Sequence, residues 1–179
     1  VKKQTAPVNS AQTSLFGDDT TAEDPMPAEA GKNIHNTTHH YHLVDTEEKI
    51  AELIQLLSGH SRIAFDTETT SLDANNCEIV GMSFSVKAHE AYYVPVPAER
   101  TAAQQLVKWY DVEVKGVLFD TMIAHYLMDA DTKHNMNVLS ENYLGYAPVS
   151  IEELIGKKGP KQLSMRDVPL EKIKEYAAE

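Results

Sequence analysis

The chain has 179 residues, 42% of them hydrophobic, and a formal charge of −11, which suits one globular domain with a tail. So acidic a chain lacks the basic stripe by which simple nucleic-acid binders neutralise phosphate. A role on nucleic acid would have to rest on carboxylates that hold cations, with only local basic groups.

The single cysteine, Cys77, excludes an internal disulfide framework and suits a reducing cytoplasm. It sits in a polar turn, Asn75-Asn76-Cys77-Glu78, where a small structural residue is the expectation rather than a nucleophile. No apolar run is long enough to span a bilayer. A soluble, cytoplasmic protein is expected.

Residues 1–40 read as a flexible linker, with Pro7, Pro25 and Pro27, an acidic stretch through Asp18, Asp19, Glu23 and Asp24, and no helical or strand period. A linker there implies a folded unit before Val1. His39, His40 and His42 crowd the start of the ordered part. Alternation along Tyr41-His42-Leu43-Val44 sends neighbours to opposite faces, so a solvated cluster is expected rather than a metal site.

Order is expected from Tyr41, where a short strand leads to Asp45. Asp45 and Glu48 have the spacing of a capping box, and Ile50, Leu53, Ile54 and Leu57 then mark one face of a helix closed by Gly59. Arg62 to Phe65 is a short apolar strand, and 78–86 and 91–96 read as two further strands, antiparallel neighbours. Thr101 with Gln104 predicts another capped helix. After Gly116-Val117-Leu118-Phe119, Asp120 is the expected N-cap of a helix carrying Met122, Ile123, Tyr126 and Leu127. Helices are expected over 137–144, 150–155 and 169–179. The fold class that follows is α/β or α+β, a mixed β-sheet flanked by helices.

The chemistry centres on Phe65-Asp66-Thr67-Glu68-Thr69. Period two puts Asp66 and Glu68 on the same face at the carboxyl end of a strand, with Thr67 pointing away. Two like charges so close are costly unless one is protonated or a cation lies between them. Oxygen-only ligands favour a hard ion such as Mg²⁺ or Mn²⁺. Two such ions about 3.5–4 Å apart can activate water and stabilise the leaving oxygen of a phosphodiester. In an arbitrary chain, Asp-x-Glu at a strand end is more often a solvated edge, so the surrounding sequence has to decide.

That surrounding sequence has a counterpart. Ile63 to Asp73, then Ile79-Val80-Gly81-Met82-Ser83-Phe84 and Ala91-Tyr92-Tyr93-Val94-Pro95-Val96, resemble the opening of the proofreading 3'-5' exonuclease domain of bacterial DNA polymerase I. Phe119-Asp120-Thr121-Met122, His134-Asn135-Met136-Asn137 with Leu139, Gly156-Lys157-Lys158 and Glu175-Tyr176-Ala177-Ala178-Glu179 continue the likeness in order over most of 41–179. It implies an RNase H-like fold and hydrolysis of DNA from its 3' end with two divalent cations, Mg²⁺ or Mn²⁺. By the same resemblance, Asp66 bridges both metals, Glu68 holds the first, and the Tyr176 hydroxyl orients the attacking water. Thr69 and Leu72 contact the terminal nucleotide, and Lys133 falls where a basic residue near the strand's phosphates is usual. Ile151 stands where the family usually has a base-wedging aromatic. On pattern alone, Tyr176 is equally one more apolar position on the last helix.

Two departures from the family pattern matter. In the family, the helix near Gln104-Gln105-Leu106-Val107 runs on to a strand and then to an Asn and an Asp that binds the second metal. Here Val107 passes directly to Lys108-Trp109-Tyr110-Asp111, which resembles the sequence after that motif, so a segment is lacking between Val107 and Lys108. The family's last motif is Tyr, three residues, then Asp, and Glu179 stands one residue before that Asp. Two of four metal-binding carboxylates are absent, and weak or no activity is expected of this chain, with at most one ion held. The alternative reading is a catalytically inactive structural or DNA-binding module of a polymerase. An RNase D-like RNA exonuclease shares the first motif but fits the stretches after Gly81 less well.

The expected partners are the 3' end of DNA and the remainder of a polymerase chain. A further one comes from the tail. Gln12-Thr13-Ser14-Leu15-Phe16 resembles the peptide (Gln, Leu, Ser or Asp, Leu, Phe) by which bacterial replication proteins dock into the sliding clamp, with Thr13 in place of Leu. Gln12, Leu15 and Phe16 would make that contact.

Overall fold

The computed structural model describes residues 31–71, 73, 75–108 and 116–179. Four strands make one mixed sheet: β1 (His40–Leu43), β2 (Ala64–Thr69), β3 (Ile79–Lys87) and β4 (Glu90–Pro95). Their order is β1-β4-β3-β2. The β3–β4 pair is antiparallel, as expected of 78–86 and 91–96; the β2–β3 pair is antiparallel too, while β1 lies parallel to β4. Ahead of β1, Lys32 forms a bridge with Tyr146 and its carbonyl accepts from the Ala147 amide at 2.9 Å.

Helix α1 (Glu47–Ser58) follows β1. Its N-cap is Thr46, whose hydroxyl accepts from the Lys49 amide, and not the expected Asp45. Asp45 instead takes the Lys49 ammonium at 2.6 Å. The apolar face of α1 works as its spacing predicts. Ile50 and Leu53 are buried with Val44 and Val94, and Met82, Phe84 and Tyr92 from the sheet pack against them. Each such side chain removed from water contributes roughly 1.5–3 kcal/mol. Helix α2 (Arg100–Lys108) is capped two residues earlier than expected. The Glu99 carboxylate, rather than Thr101, accepts from the Thr101 and Ala102 amides at 2.9 and 2.7 Å.

The opposite face of the sheet is covered by α6 (Leu170–Ala178), which packs across all four strands. Val80, Tyr93, Met165, Val168 and Ile173 form its core, with Leu43 and Tyr176 against them. A single 3-10 turn, Met165–Asp167, precedes α6 and carries Arg166. The Arg166 guanidinium donates to the Val96 and Ile79 carbonyls at 2.5 and 2.7 Å, tying this turn to the ends of β3 and β4.

Three helices lie between: α3 (Thr121–Met128), α4 (Met136–Leu144) and α5 (Ile151–Ile155). Asp120 caps α3 through the Met122 and Ile123 amides, as expected. Gly145 ends α4 at φ +60, a conformation that only glycine adopts without cost. Neither α3 nor α4 buries a residue, and Val117 and Phe119 before them are 97% and 77% exposed. Among the described residues, β2 stands at the sheet edge with Phe65 59% exposed, its ring touching only Phe84. Among the described residues, the α1 and α6 layers are well packed and the β2 side is not.

Candidate active site

Asp66 and Glu68 share the α6 face of β2. Across the antiparallel ladder, Asp66 is opposite Ser83 and Glu68 is opposite Gly81. Both partners are small, so the two carboxylates are not crowded out by the neighbouring strand. Asp66 is exposed and Glu68 half-buried. Burial first, and then the charge of Asp66, push the Glu68 carboxyl up to about 7. The strained carboxylate pair expected from the spacing is therefore present, and its cost falls on Glu68.

α6 brings Tyr176 to this pair. Its phenol is pushed up to about 12, chiefly by burial, then by the charges of Glu68, Asp66 and Glu179. A protonated hydroxyl thus lies within electrostatic reach of both β2 carboxylates. Of the residues singled out in the sequence, Asp66, Glu68 and Tyr176 are brought together by the fold. Thr69 follows directly after a register shift in β2, and its hydroxyl donates to the Ser71 carbonyl at 3.0 Å. Lys133 is exposed on the connection between α3 and α4, and Ile151, the first residue of α5, is 43% exposed. Leu72, Gln12, Leu15 and Phe16 lie outside the described residues.

The crowded histidines have protein partners rather than solvent alone. The His39 Nε2 is 3.1 Å from the Glu175 carboxylate, and His42 stacks on Tyr92. Among the described residues, no group of three or more His, Cys, Asp or Glu side chains could hold a metal ion. Glu179, the C-cap of α6, is committed elsewhere. Its carboxylate accepts from the Tyr146 hydroxyl at 2.5 Å and from the Val149 amide at 2.8 Å.

Sequence reasoning missed the layer beneath the carboxylates. Tyr93 and Arg166 lie there and Gly81 makes room for them, although a glycine inside a strand does signal a close approach. Long-range contacts of this kind leave no periodic trace.

A family model described as 3'-5' exonuclease matches residues 41–112 and 104–179. The chain belongs to this family. The two matched stretches overlap at 104–112, where one continuous match would be expected of an uninterrupted member. Among curated relatives, DNA polymerase I of Pseudomonas aeruginosa is 33% identical over 198 residues, covering 91% of this chain and 21% of the relative. DNA polymerase I of Borreliella burgdorferi is 27% identical over 167 residues, covering 78% of this chain and 18% of the relative. The chain thus spans about a fifth of the length of these relatives, and it is a 3'-5' exonuclease domain of the DNA polymerase I type.

Among solved structures, Brucella melitensis NrnC is similar with a TM-score of 0.51 at 20% identity, over 79% of this chain and 74% of that one. At this identity the likeness concerns the fold, and it bears out the RNase H-like mixed sheet with flanking helices.

Proposed function

We propose that Asp66, Glu68 and Tyr176 are one half of a 3'-5' exonuclease site acting on the 3' end of DNA, holding a single divalent cation and hydrolysing weakly. The observation that carries this reading is the convergence of Asp66 and Glu68 with the Tyr176 hydroxyl on the α6 face. The donor set fits one hard cation: two carboxylates whose mutual repulsion a positive charge relieves. It does not fit two, since no third carboxylate joins them among the described residues. A Brucella melitensis NrnC structure with bound Mg²⁺, 18% identical over 79% of this chain with a TM-score of 0.50, is in keeping with a divalent ion in this fold.

A bound cation would polarise a phosphodiester oxygen or water. The chain's own residues do the rest. Asp66 and Glu68 would hold the ion, and the Tyr176 hydroxyl would orient the attacking water. Thr69 and Leu72 lie next in sequence to receive the terminal nucleotide, with Lys133 toward the strand's phosphates.

One of the two missing carboxylates has a simple origin in this reading, a segment absent between Val107 and Lys108. The alignment with the Pseudomonas relative runs over 198 residues, more than the 179 of the whole chain, so that relative carries residues within the matched span that this chain lacks. The edge position of β2 and the uncovered α3 and α4 are what removal of a strand beside β2 would leave.

Release of nucleotides from a 3'-mismatched primer with Mn²⁺ or Mg²⁺ tests the proposal. Slow release abolished by Asp66→Ala is expected, rising when the extra residues of the Pseudomonas relative are inserted after Val107. Release unchanged by Asp66→Ala would overturn it. No release with or without the insertion would favour the inactive structural module.

A further inference from the structure

Two buried polar atoms lack a hydrogen-bond partner among the described residues, the Tyr93 hydroxyl and the Arg166 Nε. A buried donor left unpaired loses its hydration with nothing in return, so each calls for an explanation. Tyr93 is 0% exposed, and its hydroxyl occupies a particular place. A Cβ on Gly81 would fall 2.1 Å from the Tyr93 oxygen. The hydroxyl therefore fills the side-chain space of residue 81.

Gly81 is the direct antiparallel partner of Glu68. Side chains of such a pair share a face, with Cβ positions about 4.5–5.5 Å apart. The Tyr93 hydroxyl thus lies beside Glu68, on the face where Asp66 and Glu68 point. Burial raises the Tyr93 phenol to about 12, with a further push from the Glu68 charge and an opposite pull from Arg166, so both groups are near it. Arg166 has already committed its two terminal nitrogens to the Val96 and Ile79 carbonyls, which leaves its Nε–H to spare.

We propose that Tyr93 is a positioning residue for Glu68. In the structure the hydroxyl has neither partner; a small turn of the Glu68 and Arg166 side chains lets it donate to the Glu68 carboxylate and accept from the Arg166 Nε–H. The resulting chain, Arg166 to Tyr93 to Glu68, gives both orphaned atoms a partner and fixes one Glu68 oxygen so that the other faces Asp66. Gly81 is required at its position because any side chain there would displace the hydroxyl. The consequence for cation binding rests on the reading of Glu68 as a ligand, whereas the hydrogen bond itself does not.

A double-mutant cycle in thermal unfolding tests the bond without metal. At pH 8 in chelator-treated buffer, Tyr93→Phe is expected to lower the Tm by about 3–6 °C in the wild-type background. In a Glu68→Leu background it should have little effect. An equal fall in both backgrounds, or no fall in either, would overturn the proposal.

Mn²⁺ binding followed by electron paramagnetic resonance then tests the positioning role, with Tyr93→Phe expected to weaken affinity about 3–10-fold. Wild-type binding that is lost in Asp66→Asn but unchanged in Tyr93→Phe would contradict positioning while leaving the cation site standing. Absence of Mn²⁺ binding in the wild type would instead defeat the cation reading, with the unfolding cycle still deciding the hydrogen bond.

Discussion

Glu68 lies half-buried beside Asp66, and its carboxyl stands near 7 instead of 4.5 because burial and that neighbouring charge both disfavour ionisation. The folded state therefore binds a proton that the unfolded chain releases between these values. Stability from this group is full below about pH 4.5, falls as pH rises, and is lost above about 7. Glu68→Gln is expected to raise stability at pH 8 by about 1–2 kcal/mol after allowing for solvent screening, and to change it little at pH 4.5. Urea unfolding at the two pH values measures the difference.

The same relationship predicts proton release on cation binding. A divalent ion between Asp66 and Glu68 favours the ionised form, so at pH 6.5 saturation with Mn²⁺ should release a fraction of a proton, and at pH 8.5 almost none. Calorimetric titration in two buffers of different ionisation enthalpy reads this directly. Equal release at both pH values would show that the ion is bound away from Glu68.

The bond between Tyr146 and Glu179 ties the end of α6 to the chain after α4. Because the acceptor is charged and also takes the Val149 amide, removing it leaves two donors unpaired. Glu179→Ala is expected to destabilise the fold by about 1.5–3 kcal/mol, and Tyr146→Phe by about half of that. Equilibrium denaturation checks both, and the order of the two effects is the telling part.

The β2 edge and the uncovered apolar residues before and along α3 predict self-association. An unpaired edge strand with an exposed aromatic is a template for another chain. Sedimentation should show concentration-dependent oligomers, reduced by Phe65→Lys and by insertion of the relative's extra residues after Val107. Monomeric behaviour at all concentrations would mean that the apolar surface is covered in some other way.

Local signals carried much of this fold. The 3.6-residue spacing of Ile50, Leu53, Ile54 and Leu57 located α1, Asp120 announced α3, and the runs at 78–86 and 91–96 gave the antiparallel β3 and β4. Caps were less legible, since Thr46 and Glu99 compete with equally good neighbours and small shifts of backbone geometry decide between them. In the site, period two sufficed for Asp66 and Glu68, and Tyr176 required the resemblance. Tyr93, Gly81 and Arg166 stayed hidden because strand register and the docking of a 3-10 turn bring them together from distant parts of the chain.

The central claim is that Asp66 and Glu68 form one cation site. Mn²⁺ titration at pH 7.5 tests it most directly, comparing the wild type with Asp66→Asn and Glu68→Gln. One weakly bound ion per chain, lost in both variants, is the predicted result. Binding of equal strength and stoichiometry in all three proteins would contradict it.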